Sequence, residues 1–218
     1  MLKPLEILNC AAICKPKCNF RVFRFILLIV ATALASQAVL AKPFCSLRDP
    51  VMQISDLFPS YTSYRSITKE ISLETASEIQ DALFSDLRLH SKEIGKHTIY
   101  YVYRDQIQIG MVHVRTERGP WGLVEIAWAM TPGGDIKDYR FQRCRGGPCR
   151  EAESEINRRF FSGMNFEKLS DLYGEGQVIH SARVSLPPGA DSLTLTLIES
   201  ARKTIALTSI LWLKSDES

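Results

Sequence analysis

The chain has 218 residues, 45% of them hydrophobic, with 27 Lys+Arg, 24 Asp+Glu and six Cys, for a formal net charge of +3. That length builds a hydrophobic core without metal or disulfide staples, and 23% charged with 9% aromatic residues excludes a low-complexity or disordered chain. The small basic excess invites a nucleic-acid reading, but it is not spread evenly.

Lys3, Lys15, Lys17, Arg21 and Arg24 precede an apolar run at 25–41, FILLIVATALASQAVLA, that ends in small residues. A basic segment, an apolar run and small residues before a break form the pattern of a secretory signal peptide. Cleavage is expected after Ala41, with Ala38 as the second choice. The run is 17 residues, short of the roughly 20 that span a bilayer, and Lys42-Pro43 disfavours continued helix. An uncleaved anchor is the alternative. Losing residues 1–41 removes five of the 27 bases and Glu6, which brings the remainder to about −1 and takes away the global support for nucleic-acid binding. Cys10, Cys14 and Cys18 fall in this leader without His or acidic co-ligands at matching spacing. The expected location is the periplasm, or the membrane if the leader is kept.

Residues 42–218 read as one α+β domain, an antiparallel sheet packed with helices. Cys45–Pro59 is a proline-punctuated entry. From Glu74, Ala76, Ile79, Leu83 and Leu87 recur at helical spacing behind Ser72 or Thr75 as cap, and the helix is expected to stop before Gly95. Residues 98–104 and 107–114 predict a hairpin turning at Asp105-Gln106, although no Asn-Gly or Asp-Gly pair marks the turn. Residues 123–130 predict a third strand, 131–135 a turn, and 136–141 a strand with period two. A helix is expected over Glu151–Phe161, a short one over Phe166–Leu172, and a docking helix from Asp191 or Ser192 whose apolar face carries Leu193, Leu197, Ala201, Ile205 and Leu211/Trp212.

Cys144 and Cys149 flank Arg-Gly-Gly-Pro, and in an exported protein that spacing favours a small disulfide loop; Cys45 bridging one of them is the alternative. Three exported cysteines leave one over. The four histidines lack metal-ligand spacing, and His113 lies inside a strand pattern as a packed or surface residue. Hydrolase, P-loop, zinc-protease, dinucleotide-binding and c-type haem motifs are absent, and no nucleophile, acid–base pair or metal set indicates catalysis of a net reaction. The segment from Arg115 to Gly122 (RTERGPWG) is the richest in ligand-binding residue types. Arg115 and Arg118 offer charge to a phosphate, Gly119 and Gly122 permit backbone approach, and Trp121 or Trp128 offers a planar ring. A β-turn with exposed arginines and packed tryptophans is the plainer reading.

The order of Leu57-Phe58-Pro59, a helix, residues 100–110 (YYVYRDQIQIG), Gly119-Pro120-Trp121-Gly122, a strand ending in Pro-Gly-Gly-Asp-Ile136, and a last helix with Glu199-Ser200-Ala201-Arg202 resembles the exported FMN-binding domain family. Its members include the flavin-bearing subunits of Na⁺-pumping quinone reductases and Rnf-type complexes. The resemblance spans most of residues 55–213. It implies an electron carrier holding FMN near the glycine turn and the Ser-Gly-Ala-Thr motif, and a redox partner protein in or at the membrane. Here that motif reads Glu199 to Arg202, so arginine replaces the threonine that would carry FMN as a phosphoester, and Thr196 matches the motif's upstream aspartate. Thr204 sits two positions late, and Arg143–Cys149 replaces the Glu-Thr pair that usually follows the second strand. Two outcomes follow. Arg202, with Lys203 or Arg118, grips an FMN phosphate noncovalently beside Arg115, Gly119, Trp121, Gly122, Ser200 and Ala201. Alternatively, the fold is a flavin-free binding or structural module, with Arg202 pairing with Glu199 on the helix surface.

Overall fold

A computed structural model describes residues 48–83, 87–171 and 191–214. The leader, Cys45, the glycines at 174 and 176 and the Pro187-Pro188-Gly189 introduction to the last helix lie outside the described residues. Five strands form one antiparallel sheet in sequence order: β1 (Ser63–Glu70), β2 (Lys96–Arg104), β3 (Ile107–Gly119), β4 (Gly122–Met130) and β5 (Ile136–Arg143). Helix α1 (Val51–Leu57) precedes the sheet, and α2 (Leu73–Leu83) and a short 3₁₀ turn (Ser91–Glu93) join β1 to β2. After β5 come α3 (Gly147–Ala152), α4 (Glu155–Phe161), α5 (Phe166–Asp171) and the long α6 (Asp191–Thr208), which runs on into a π-type turn over Ser209–Leu213. The expected α+β architecture is the one observed.

Strand alternation sends side chains to two faces, and here the central strands are buried on both. One face carries Ile99, Met111, Val124, Ile126, Trp128 and Met130 against Leu193, Leu197, Ala201, Ile205 and Trp212 of α6 and its terminal turn. The other carries Tyr100, Val102, Val112, Val114, Ala127 and Ala129 against Ile54, Leu57 and Phe58. The entry segment, expected only as a proline-punctuated lead-in, is therefore a helix in part: α1 starts after Pro50, and its buried Ile54 and Leu57 cover the second face.

Several elements differ from their sequence-based expectations in instructive ways. Strand β1 has little apolar signal because it is an edge strand whose residues are exposed or half-buried along its whole length. The β2–β3 hairpin closes without glycine because Asp105 (φ 49°) and Gln106 (φ 74°) both take the left-handed conformation that a tight two-residue turn needs. The helix expected over 151–161 is two helices. Pro148 in the first turn of α3 moves the start upstream, and Ser154, with an extended ψ of 154°, ends one helix and begins the next. Ser72 is the cap of α2, its Oγ accepting from the Thr75 amide at 3.1 Å.

Gly110 is where the entry helix meets the sheet. A Cβ there would lie 2.5 Å from the Phe58 ring and 2.6 Å from the Met130 carbonyl oxygen, so only glycine lets Phe58 seat on β3. Gly110→Ala is expected to destabilise the domain by about 1–3 kcal/mol. A urea-unfolding midpoint equal to that of the wild type would show that Phe58 does not hold this position.

Candidate functional site

The residues drawn together by the flavin resemblance occupy different environments. Gly119, Trp121 and Gly122 form the tip of the β3–β4 hairpin. Trp121 is 55% exposed, and Arg118 points outward beside it. Gly119 is tight against its neighbours: a Cβ there would lie 2.6 Å from Val124 and 3.4 Å from Leu193 at the start of α6. Ser200, Ala201 and Arg202 are seven to nine residues farther along α6, about 10–14 Å of helix rise. All three are buried: the Ser200 hydroxyl accepts from the Trp128 indole N–H at 3.0 Å, Ala201 packs in the core, and Arg202, 1% exposed, donates through Nη2 to the Leu83 carbonyl at 3.2 Å. Glu199 is exposed, so Arg202 does not share the helix surface with it.

Arg115 is buried as well, and the reason lies in β3. Met111, His113, Arg115 and Glu117 alternate along the face that α6 covers, which places three polar side chains under a helix. Desolvating lone charges there would be prohibitive, and the fold answers with a closed quartet. Arg115 is ion-paired with Glu93 and, through Nε, with Glu117 at 3.0 Å. Lys203 of α6 lies 3.3 Å from Glu93 and 3.3 Å from Glu117. Two cations and two carboxylates alternate and sum to zero. Glu93 reaches the group from the 3₁₀ turn, where it also accepts from the His90 amide at 2.6 Å in a reciprocal cap. Burial pushes the Glu93 carboxyl up, but Arg115 and Lys203 outweigh it and hold it below the ordinary value. Burial opposes the charge on Arg115, yet Glu117 and Glu93 hold its pKa above the usual one.

Two histidines adjoin the quartet. His113 is fully buried, edge-on to Trp212, with its Nδ1 3.3 Å from Thr208 Oγ1. His97 packs edge-on to His113, with Nε2 2.7 Å from the Glu93 carbonyl. Burial, with Arg115 adding to it, brings His97 down from 6.5 to about 4; burial takes His113 well below its ordinary value. Among the described residues no three His, Cys, Asp or Glu side chains are grouped to hold a metal.

A cleft lies elsewhere, at the end of β5. It encloses about 680 Å³ and is lined by Arg48, Arg143, Arg145 and Arg150, by Glu125 and Glu153, and by Phe141, Gln142 and the Cys144–Cys149 disulfide. The disulfide is the pairing expected from the Arg-Gly-Gly-Pro loop. Both cleft carboxylates are engaged: Glu125 lies 3.8 Å from Arg143, and Glu153 accepts from the Phe141 amide at 2.5 Å. Among the described residues neither Arg145 nor Arg150 has a carboxylate within 4.0 Å. The run at 143–150 (RCRGGPCR) places three of the cleft arginines within or beside the cysteine loop, a signal in the sequence that becomes a site only once the cleft is formed. Compared with protein-family models, curated proteins and solved structures, the chain matches none.

Three predictions follow from these arrangements. Lys203→Met should cost about 3–5 kcal/mol, because it leaves two carboxylates sharing one buried cation; a loss under 1 kcal/mol in urea unfolding would contradict the quartet. The unfolded chain takes up protons near pH 6.5 at positions whose folded pKa is depressed, so stability is fully present above that pH and falls toward about 4 as His97 titrates. Below the ordinary carboxylate pKa of 4.5, Glu93 adds a second loss. An unfolding midpoint that stays flat between about pH 7 and about pH 5 would rule out this coupling. Replacing both Cys144 and Cys149 with Ser should cost about 2 kcal/mol, the loop entropy of so short a ring, read as a drop in thermal midpoint against the wild type.

Proposed function

We propose that the chain is a flavin-free binding module, and that the arginine cleft at the end of β5 is its ligand-binding surface. The observation that carries this reading is the burial of Arg202. A guanidinium that grips a cofactor phosphate must face the cofactor, whereas this one is directed at the Leu83 carbonyl beneath α6. Lys203, the second cation of the flavin reading, is enclosed by Glu93 and Glu117, and Ser200 by Trp128. Bringing any of them to an FMN phosphate would open the packing between α6 and the sheet. Arg118 and Trp121 remain outside at the hairpin tip, away from that set.

The disulfide supports export, since such bonds persist in oxidising compartments. On this reading the module works in the envelope, and the membrane redox partner expected of a flavin carrier is not required. Among the described residues no helix is long and apolar enough to cross a membrane. In the cleft at the end of β5, four arginines meet two carboxylates.

The test is spectroscopic. The protein, purified after export, should lack flavin absorbance in the visible range and should not acquire it in the supernatant after denaturation. Yellow colour released by denaturation, at near one flavin per chain, would overturn the flavin-free reading.

A further inference from the structure

We propose that the cleft at the end of β5 binds an organic phosphate, and that the Cys144–Cys149 ring sets the arginines that hold it. This deepens the binding-module reading and rests on it. The ring spans six residues, with Arg145 inside it and Arg143 and Arg150 immediately outside its two cysteines. All three line the cleft. Without the cross-link a Gly-Gly-Pro segment would give these side chains no fixed spacing, since glycine leaves the backbone free to wander. With it, Cys149 is buried and the loop is tied to the core beside Phe141.

The charge balance selects an anion. Four arginines face two carboxylates: Glu125 lies 3.8 Å from Arg143 and Glu153 accepts from a backbone amide, while Arg145 and Arg150 have no carboxylate within 4.0 Å among the described residues. The number of donors then selects its chemistry. One guanidinium fork satisfies the two oxygens of a carboxylate, whereas two forks lining one cleft suit the three or more terminal oxygens of a phosphate or diphosphate. The cleft, at about 680 Å³, lies in the range of small-molecule sites and exceeds what inorganic phosphate fills. Phe141 and the disulfide offer the organic part of the ligand an apolar wall.

The experiment is a calorimetric titration of the intact, oxidised protein with inorganic pyrophosphate, repeated with Arg145→Gln/Arg150→Gln and with Cys144→Ser/Cys149→Ser. Both arginines are exposed, so circular dichroism of the first variant should match the wild type. Binding should weaken at least about tenfold in the arginine variant, a loss of about 1.4 kcal/mol, and several-fold in the cysteine variant. A parallel flotation assay with vesicles containing phosphatidic acid identifies the source. Capture that depends on Arg145 and Arg150 assigns the phosphate to a lipid, and pyrophosphate binding without capture assigns it to a soluble ligand. Absence of pyrophosphate binding, unchanged affinity in either variant, or equal affinity for citrate overturns the proposal. Each of these results is independent of whether the protein carries flavin, so the two claims fail separately.

Discussion

The fold turns on a neutral set of four charges closed beneath one helix. β3 runs through the middle of a sheet covered on both faces, and on the α6 side it presents His113, Arg115 and Glu117 where an ordinary strand would present aliphatic residues. Those groups are tolerable only because Glu93 arrives from the 3₁₀ turn and Lys203 from α6 to complete alternating pairs. Three separate segments must therefore dock in one register before the interior is electrically balanced. Replacing such a set with well-packed apolar residues is often neutral or stabilising, whereas removing one member is costly. Its value is in specifying how α6 lies on the sheet.

That constraint also decides what α6 is able to do. A helix whose cations point inward to balance buried carboxylates is committed to structure, and its Ser200 and Arg202 are spent on Trp128 and the Leu83 carbonyl. Binding chemistry is left to the periphery. The cleft beyond β5 takes its shape from a short cross-linked loop, so the pairing that staples this edge of the domain also spaces its arginines. Interior and cleft thus use the same residue type for opposite ends: Arg115 and Arg202 face protein acceptors, while Arg145 and Arg150 face solvent.

Much of the fold was legible in the sequence because it follows periodicity. The apolar spacing of α6 from Leu193 to Trp212 reports burial directly. β1 was not legible, since an edge strand buries little and SYRSITKE carries hardly any apolar signal. The helix in the entry was hidden by the prolines around it. The candidate site was harder to read. Arg115 and Arg202 look like ligand-binding residues in a linear sequence, because nothing local announces that Glu93, 22 positions from Arg115, will meet it, or that Arg202 will reach a carbonyl 119 positions away. The disulfide was legible from its own short spacing, and the arginines around it carried a signal that only the cleft made meaningful.

The central claim is that the arginines divide into an interior set and an exposed set. Native-state modification with phenylglyoxal, followed residue by residue by mass spectrometry, tests it directly. Arg145 and Arg150 should react at the rate of exposed arginines, while Arg115 and Arg202 should stay protected until the protein is unfolded. Modification of Arg202 in the native protein at a rate matching Arg145 would contradict the account, because it would place that guanidinium where a ligand could reach it.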